Sequence, residues 1–269
     1  MVIQNNSDNS LKSIKNNNYM ILVTGGTKGI GKAILEKFMQ NGHDVITCSR
    51  NNEELFALKE ELESKYSTKQ NPVVLYYRQA DLSKKDDIVA FGEYAKKIIL
   101  LNEKEAKKES SNKKGFEVMV NNTGVFVPGK ILEEEEGNFE MQIHTNLFSA
   151  YHLTRMLVPI LVERKGGHLF NICSTASITA YPNGGSYCIS KFALHGMTKV
   201  LREELKEHNV KVTSVMPGPT YTASWEGVDL PIERFMPSSD IAESIFSVYS
   251  LSNQTVVEEI VMRPQLGDI

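Results

Sequence analysis

Tyr19-Met20-Ile21-Leu22-Val23-Thr24 runs without a break into Gly25-Gly26-Thr27-Lys28-Gly29-Ile30-Gly31, and an amphipathic stretch follows from Lys32 to Asn41. The first six residues carry no charge and read as a strand buried on both faces. The spaced apolar residues after Gly31 read as a helix with one face on a core. Between them, glycines let the backbone turn tightly and approach a ligand, while the start of the helix offers N–H groups to an anion. Strand, glycine turn and helix in this order form a cradle for a dinucleotide pyrophosphate. The spacing of Gly25, Gly29 and Gly31 is TGxxxGxG, distinct from the GxGxxG of other dinucleotide folds.

The same alternation continues down the chain. Asp44–Cys48, Val73–Tyr77, Phe116–Val120, His168–Cys173 and Val210–Val215 are short, β-branched runs separated by helical patterns. Repeated βαβ units predict one α/β domain: a Rossmann-like, doubly wound, mainly parallel sheet with helices on both faces, over residues 19–269. Residues 1–18, with six asparagines and no apolar block, read as a disordered leader. Seven lysines between Lys96 and Lys114 predict a helix that runs out into a polar insertion near residues 102–115. The four carboxylates Glu133–Glu136 suit the N-terminal, positive end of a helix dipole, and no basic ligand need be inferred. Trp225, Leu230, Ile232, Phe235 and Met236 place apolar surface in a short segment, residues 222–237, that would serve as a lid over a substrate.

Composition narrows the function. A hydrophobic share of 41% with 23% charged residues is that of an ordinary globular domain, and a net charge of -3 gives no reason to expect nucleic acid or an anionic membrane. Apolar runs such as Leu157–Val162 fall far short of the ~20 residues that span a bilayer. Cys48, Cys173 and Cys188 lack CxxC spacing, and the six histidines form no ligand cluster, so neither a disulfide framework nor a metal site is expected. A cytoplasmic protein acting on a small molecule is the expectation.

The chemistry concentrates in Tyr187-Cys188-Ile189-Ser190-Lys191. On a helix, Tyr187 and Lys191 stand at i and i+4, so phenol and ammonium share one face. A fixed cation favours phenolate, bringing a group that titrates near pH ~10 closer to general acid/base use. Ser174, thirteen residues upstream, follows a predicted buried strand and so sits at a strand's C-terminal end, where open α/β sheets bind ligands. Gly184-Gly185-Ser186-Tyr187-Cys188 approaches a serine-hydrolase elbow, but Cys188 stands where the last glycine belongs and no good strand precedes it.

TGxxxGxG together with Tyr187-x-x-x-Lys191 resembles the short-chain dehydrogenase/reductase family in its shorter, single-domain form, over about residues 19–262. Further matches come in the family's order: Asp81-Leu82, Asn121-Asn122-Thr123-Gly124, Asn146, Ser174, then Pro217-Gly218 and Thr220. The resemblance implies hydride exchange between a nicotinamide and a substrate carbon, with Tyr187 moving the oxygen's proton and Lys191 lowering the phenol pKa and holding the ribose. Ser174 would donate to the carbonyl oxygen, and Asn146 would hold a water in a proton relay. Thr24, Gly25, Thr27, Lys28, Gly29, Ile30, Gly31, Asp81, Leu82, Asn122, Gly124, Pro217, Gly218 and Thr220 would line the cofactor with Tyr187 and Lys191. Thr123 replaces the family's common alanine.

The cofactor expectation is NADP(H). Where a carboxylate would grip both hydroxyls of the adenosine ribose, the chain has Ser49 and Arg50, and Lys28 adds a cation from the glycine turn. The expected function is interconversion of a carbonyl, ketone or 3-oxoacyl-like, and a secondary alcohol. A nucleotide-binding regulator of the same fold without turnover is the alternative. Apolar residues on more than one face of the helices near 139–165 and 186–207, among them Phe148, Tyr151, Phe192, Leu194 and Met197, predict a homodimer or homotetramer.

Overall fold

The computed structural model describes residues 19–106, 114–222 and 230–269. The expected leader (1–18), the middle of the lysine-rich insertion (107–113) and the part of the expected lid that holds Trp225 (223–229) lie outside the described residues.

Strands β1 (Met20–Thr24), β2 (Asp44–Ser49), β3 (Leu75–Gln79), β4 (Phe116–Asn121), β5 (Gly167–Ile172), β6 (Val210–Pro217) and β7 (Glu259–Met262) form one sheet in the order β3-β2-β1-β4-β5-β6-β7, every pairing parallel. All five residues of β1 are buried, as its uncharged run requires. Helices α1 (Gly29–Gln40), α2 (Asn52–Tyr66), α3 (Lys85–Ala106), α4 (Asn138–Ile143), α5 (Ser149–Arg164), α6 (Gly185–Leu205) and α7 (Ser238–Tyr249) supply the crossovers and the covering layers. One core joins Leu22, Ile46 and Met119 of the sheet to Phe91 of α3 and Leu157 of α5. A second, on the opposite face, joins Ile21, Val23 and Val120 to Phe38 of α1 and Ile241 of α7. Order reverses between β1 and β4, which opens a crevice at the strands' C-terminal ends, the position of ligands in such sheets.

Two expectations need correction, and one strand was not expected. β3 begins two residues later than the apolar run suggests, because Val74 N–H is taken by the Asp44 carboxylate and the ladder with β2 opens at Val45–Leu75. β7 gives little warning in the sequence, since half of its residues are exposed at the sheet edge. The lysine-rich segment is not uniformly solvated: Lys114 is buried, with Nζ donating to Asp44 Oδ1 at 2.8 Å and to the Gly42 and Pro72 carbonyls at 2.7 and 2.9 Å.

Candidate active site

The glycine turn is shaped by close approach. A Cβ on Gly31 would lie 2.2 Å from the Gly25 carbonyl oxygen, so nothing larger than hydrogen fits. Gly29 takes φ +53°, a region costly for side chains with Cβ. No side chain caps the start of α1. Bare backbone and an uncapped helix start at a crevice fit the pyrophosphate of a dinucleotide. The turn is tied to β4: Thr24 Oγ1 accepts from Asn122 and Thr123 N–H at 3.0 and 2.9 Å, and the Asn122 amide donates to the Thr24 and Gly25 carbonyls.

A cavity of 1120 Å³ opens over these strand ends. Gly25, Thr27, Lys28, Gly29, Ile30 and Gly31 line it from the turn, Ser49 and Arg50 from β2, and Asp81 and Leu82 from the residues after β3. Asn122, Gly124, Ser174, Tyr187, Lys191, Pro217, Gly218 and Thr220 line the rest. Thr24 and Asn146 do not reach it; Thr24 is the brace just described. Asn146, buried in a π-helical turn (His144–Phe148), accepts from Val125 N–H at 2.7 Å and donates to Ser190 Oγ at 2.9 Å, joining β4 to α6. Single π turns often mark functional sites. A Cβ on Gly124 would come within 3.3 Å of both Asn146 Oδ1 and Lys191 Nζ, a tight approach that brings these two groups together over the glycine.

Ser174 ends β5 and caps a 3₁₀ turn, its Oγ accepting from Ala176 N–H at 3.1 Å. Tyr187 and Lys191 share the inner face of α6. Lys191 Nζ lies 5.8 Å from the phenol ring centroid and donates to the Ile172 carbonyl at 2.8 Å. Burial pushes the Tyr187 phenol up to about 12, with the Ser174 hydrogen bond acting the other way. Burial likewise brings Lys191 down to about 8. At Tyr187 the Ser174 hydrogen bond opposes burial, while the Lys191 ammonium is itself desolvated and directed at the Ile172 carbonyl.

At the other end, Thr27 Oγ1 donates to Ser49 Oγ at 3.2 Å. Lys28 pairs with Glu54 at 2.9 Å, and that hydrogen bond holds the Glu54 carboxyl below the usual carboxylate range. Asp81 feels burial raising its pKa, but hydrogen bonds from Ser83 and the Lys84 and Arg50 charges bring it below the usual range. Of the expected lid, Thr222 lines the cavity, while Phe235 and Met236 are buried and Met236 bridges to Thr220, so these two anchor the segment.

Sequence reasoning overlooked Glu54, Phe126, Tyr181 and Asp268, all of which line the cavity. Phe126 could have been found, since it follows Asn122-Thr123-Gly124 directly. Asp268 carries no periodic or spacing signal. Among the described residues, no cluster of His, Cys, Asp or Glu could hold a metal ion and no helix is long and apolar enough to cross a membrane.

The profile of the short chain dehydrogenases matches residues 19–230. A sepiapterin reductase of Chlorobaculum tepidum is 36% identical over 155 residues, 57% of this chain and 64% of that protein. A 3-ketodihydrosphingosine reductase of Dictyostelium discoideum is 30% identical over 214 residues, 78% of this chain and 62% of that protein, so the matched chain spans less than two thirds of either relative. A metagenomic short-chain oxidoreductase solved with NADP superposes with a TM-score of 0.74 at 27% identity, covering 93% of this chain and 99% of that one. With its seven parallel strands, its glycine cradle and a serine, a tyrosine and a lysine gathered at one end of the crevice, the chain belongs to the short-chain dehydrogenase/reductase family of oxidoreductases.

Proposed function

We propose that the protein is an NADP(H)-dependent reductase that interconverts a ketone and a secondary alcohol. One observation carries this reading: a single cavity runs from Ser49 and Arg50, past the glycine turn, to Ser174, Tyr187 and Lys191. A bound nicotinamide supplies the hydride. The chain's own residues orient the carbonyl and handle the proton. Ser174 Oγ donates to the carbonyl oxygen as charge develops there. Tyr187, whose phenol keeps its proton at neutral pH, gives that proton to the same oxygen, which suits the reductive direction. Lys191, brought down to about 8 by burial, is largely cationic at neutral pH and lines the cavity beside the Tyr187 ring, where it would hold the ribose of the nicotinamide. Asn146 braces α6 against the residues after β4 from behind the cavity.

Arg50 and Ser49 occupy the place where a carboxylate would repel a 2′-phosphate, and the NADP bound by the metagenomic relative supports that choice. Lys28 is drawn to Glu54, so Arg50 carries the larger part of the discrimination. Val125, Phe126, Met141 and Pro182 give the substrate end an apolar lining, which favours a ketone with a hydrocarbon portion, 3-oxoacyl-like in shape. The names of both curated relatives, each a reductase, support that direction. The protein acts as a homodimer or homotetramer in the cytoplasm.

Purified protein incubated with NADPH and a panel of acyl, aromatic and sugar ketones tests the reading. It predicts NADPH oxidation with acyl or aromatic ketones. NADPH should bind at least about tenfold more tightly than NADH, a gap of ~1.4 kcal/mol that Arg50→Ala largely removes. NADPH binding without oxidation by any ketone would instead identify a regulator.

A further inference from the structure

Helix α6 carries Tyr187 in its first turn, yet no side chain of its own N-cap secures the first N–H groups. What is missing is a cap: its N-cap is Gly184, with no side-chain hydrogen bond, while within the helix Cys188 N–H donates to the Gly184 carbonyl at 2.7 Å and Ser190 Oγ to the Tyr187 carbonyl at 2.8 Å. The first N–H groups of a helix need partners from elsewhere. One comes from far away in the chain: Glu134 Oε1 accepts from Ser186 N–H at 2.8 Å, and Glu134 Oε2 accepts from the Ser186 hydroxyl. The fit is close, since a Cβ on Gly185 would lie 2.0 Å from Glu134 Oε1 and one on Gly129 would lie 2.6 Å from Glu134 Cγ.

Two further contacts hold the same loop to the same helix start. Gly129 N–H donates to the Asn183 carbonyl at 2.9 Å, within a parallel bridge between Gly129 and Gly184. Asn183 takes φ +62°, the left-handed region that asparagine enters more readily than most other non-glycine residues, which suits it to the turn before α6. The Phe126 ring then meets the Tyr187 ring edge-on, with centroids 4.8 Å apart. The neighbours of Glu134 take no such part: Glu133 pairs with Lys130, and Glu135 and Glu136 are exposed.

We propose that Glu134 is a positioning residue for the reaction: it caps α6 from outside the helix and, with the loop 125–137, fixes where the Tyr187 phenol points. The proposal rests on the reading of Tyr187 as the proton donor. A carboxylate at a helix start also complements the helix dipole. The acidic run therefore does serve a helix start, but that of α6, on the far side of the loop, rather than the one it precedes. Lys191 lies one turn deeper and is held separately by the Ile172 carbonyl, so the cofactor end does not depend on the clasp.

Steady-state kinetics and NADPH titration of Glu134→Ala, Glu134→Gln, Ser186→Ala, Glu136→Ala and Tyr187→Phe test this. A misplacement of ~1 Å can cost ~100-fold in rate, so Glu134→Ala should lower kcat by about 10- to 100-fold while NADPH affinity stays within about twofold. Glu134→Gln can still accept from Ser186 N–H and can donate to Ser186 Oγ, so it should recover kcat to within about threefold of wild type. Glu136→Ala should match wild type. If Glu134→Ala does not fold, Ser186→Ala, which loses only the hydroxyl half of the clasp, should still lower kcat about threefold or more. Unchanged kcat in Glu134→Ala or, where that variant does not fold, in Ser186→Ala would overturn the proposal. So would glutamine performing no better than alanine, or NADPH affinity falling as far as kcat. Full activity in Tyr187→Phe would overturn the underlying proton-donor reading, a result distinct from any of these.

Discussion

His43 shows how much a single side chain can be shaped by its surroundings. It is packed among the rings of Tyr19, Phe38, Phe246 and Tyr249, and its Nδ1 accepts from Tyr19 N–H at 3.1 Å. Burial, with the Lys114 charge next in size, brings it down to about 4. A histidine kept neutral by the fold is protonated more readily by the unfolded chain. Its contribution to stability is thus complete above its ordinary value of 6.5 and is lost as pH falls toward 4. His168, pushed well below its ordinary value by burial, adds in the same direction. Thermal unfolding should move to lower temperature between pH 6.5 and 4, this one group contributing at most about 1.4 kcal/mol per pH unit. His43→Asn keeps an acceptor for Tyr19 N–H and should flatten that dependence; an unchanged slope would mean that His43 titrates alike in the folded and the unfolded chain.

Among elements, the contrast between β1 and the segment before β4 is instructive. β1 and the turn after it are legible because two independent constraints coincide: complete burial demands an uncharged run, and close backbone approach at Gly31 demands glycine. Lys114 is illegible for the opposite reason. Nothing local separates it from the other lysines of its segment, and its partner Asp44 is 70 residues away. The pair is nearly closed to solvent, with side-chain exposures of 6% and 5%. Lys114→Met would take the Lys114 ammonium away from the buried Asp44 carboxylate, and breaking such a pair typically costs ~3–5 kcal/mol. Chemical denaturation should show a loss of that order; a change under 1 kcal/mol would show that Asp44 finds water or protonates at little cost. Of the site, the motif residues were readable because their chemistry needs fixed spacing. Glu134 and Asp268 were not, because they reach the site through tertiary folding alone.

At the scale of the whole molecule, α5, the π-helical turn before it and α6 keep large apolar side chains in solvent: Phe148, Tyr151, Ile189, Phe192 and Val200 are each more than a third exposed. Leu194 and Met197, counted with them from sequence, pack instead with Ala150, Cys173 and Met216 inside the fold. The remaining patch is the surface that the homo-oligomer would bury. Phe192→Glu should shift the mass in light scattering toward the 30.2 kDa of one chain, whereas a wild-type protein already of that mass at micromolar concentration would exclude the oligomer. The proposed reaction needs Tyr187 to hand a proton to a carbonyl while the rest of the same cavity holds the cofactor. Its most direct test is the rate of NADPH oxidation by Tyr187→Phe with a ketone that the wild-type protein reduces, measured beside NADPH affinity. Removing a general acid typically costs ~10²–10⁴-fold, so the rate should fall by that order while NADPH binds as tightly as before. A variant that keeps a third or more of the wild-type rate, with chemistry limiting, would contradict it.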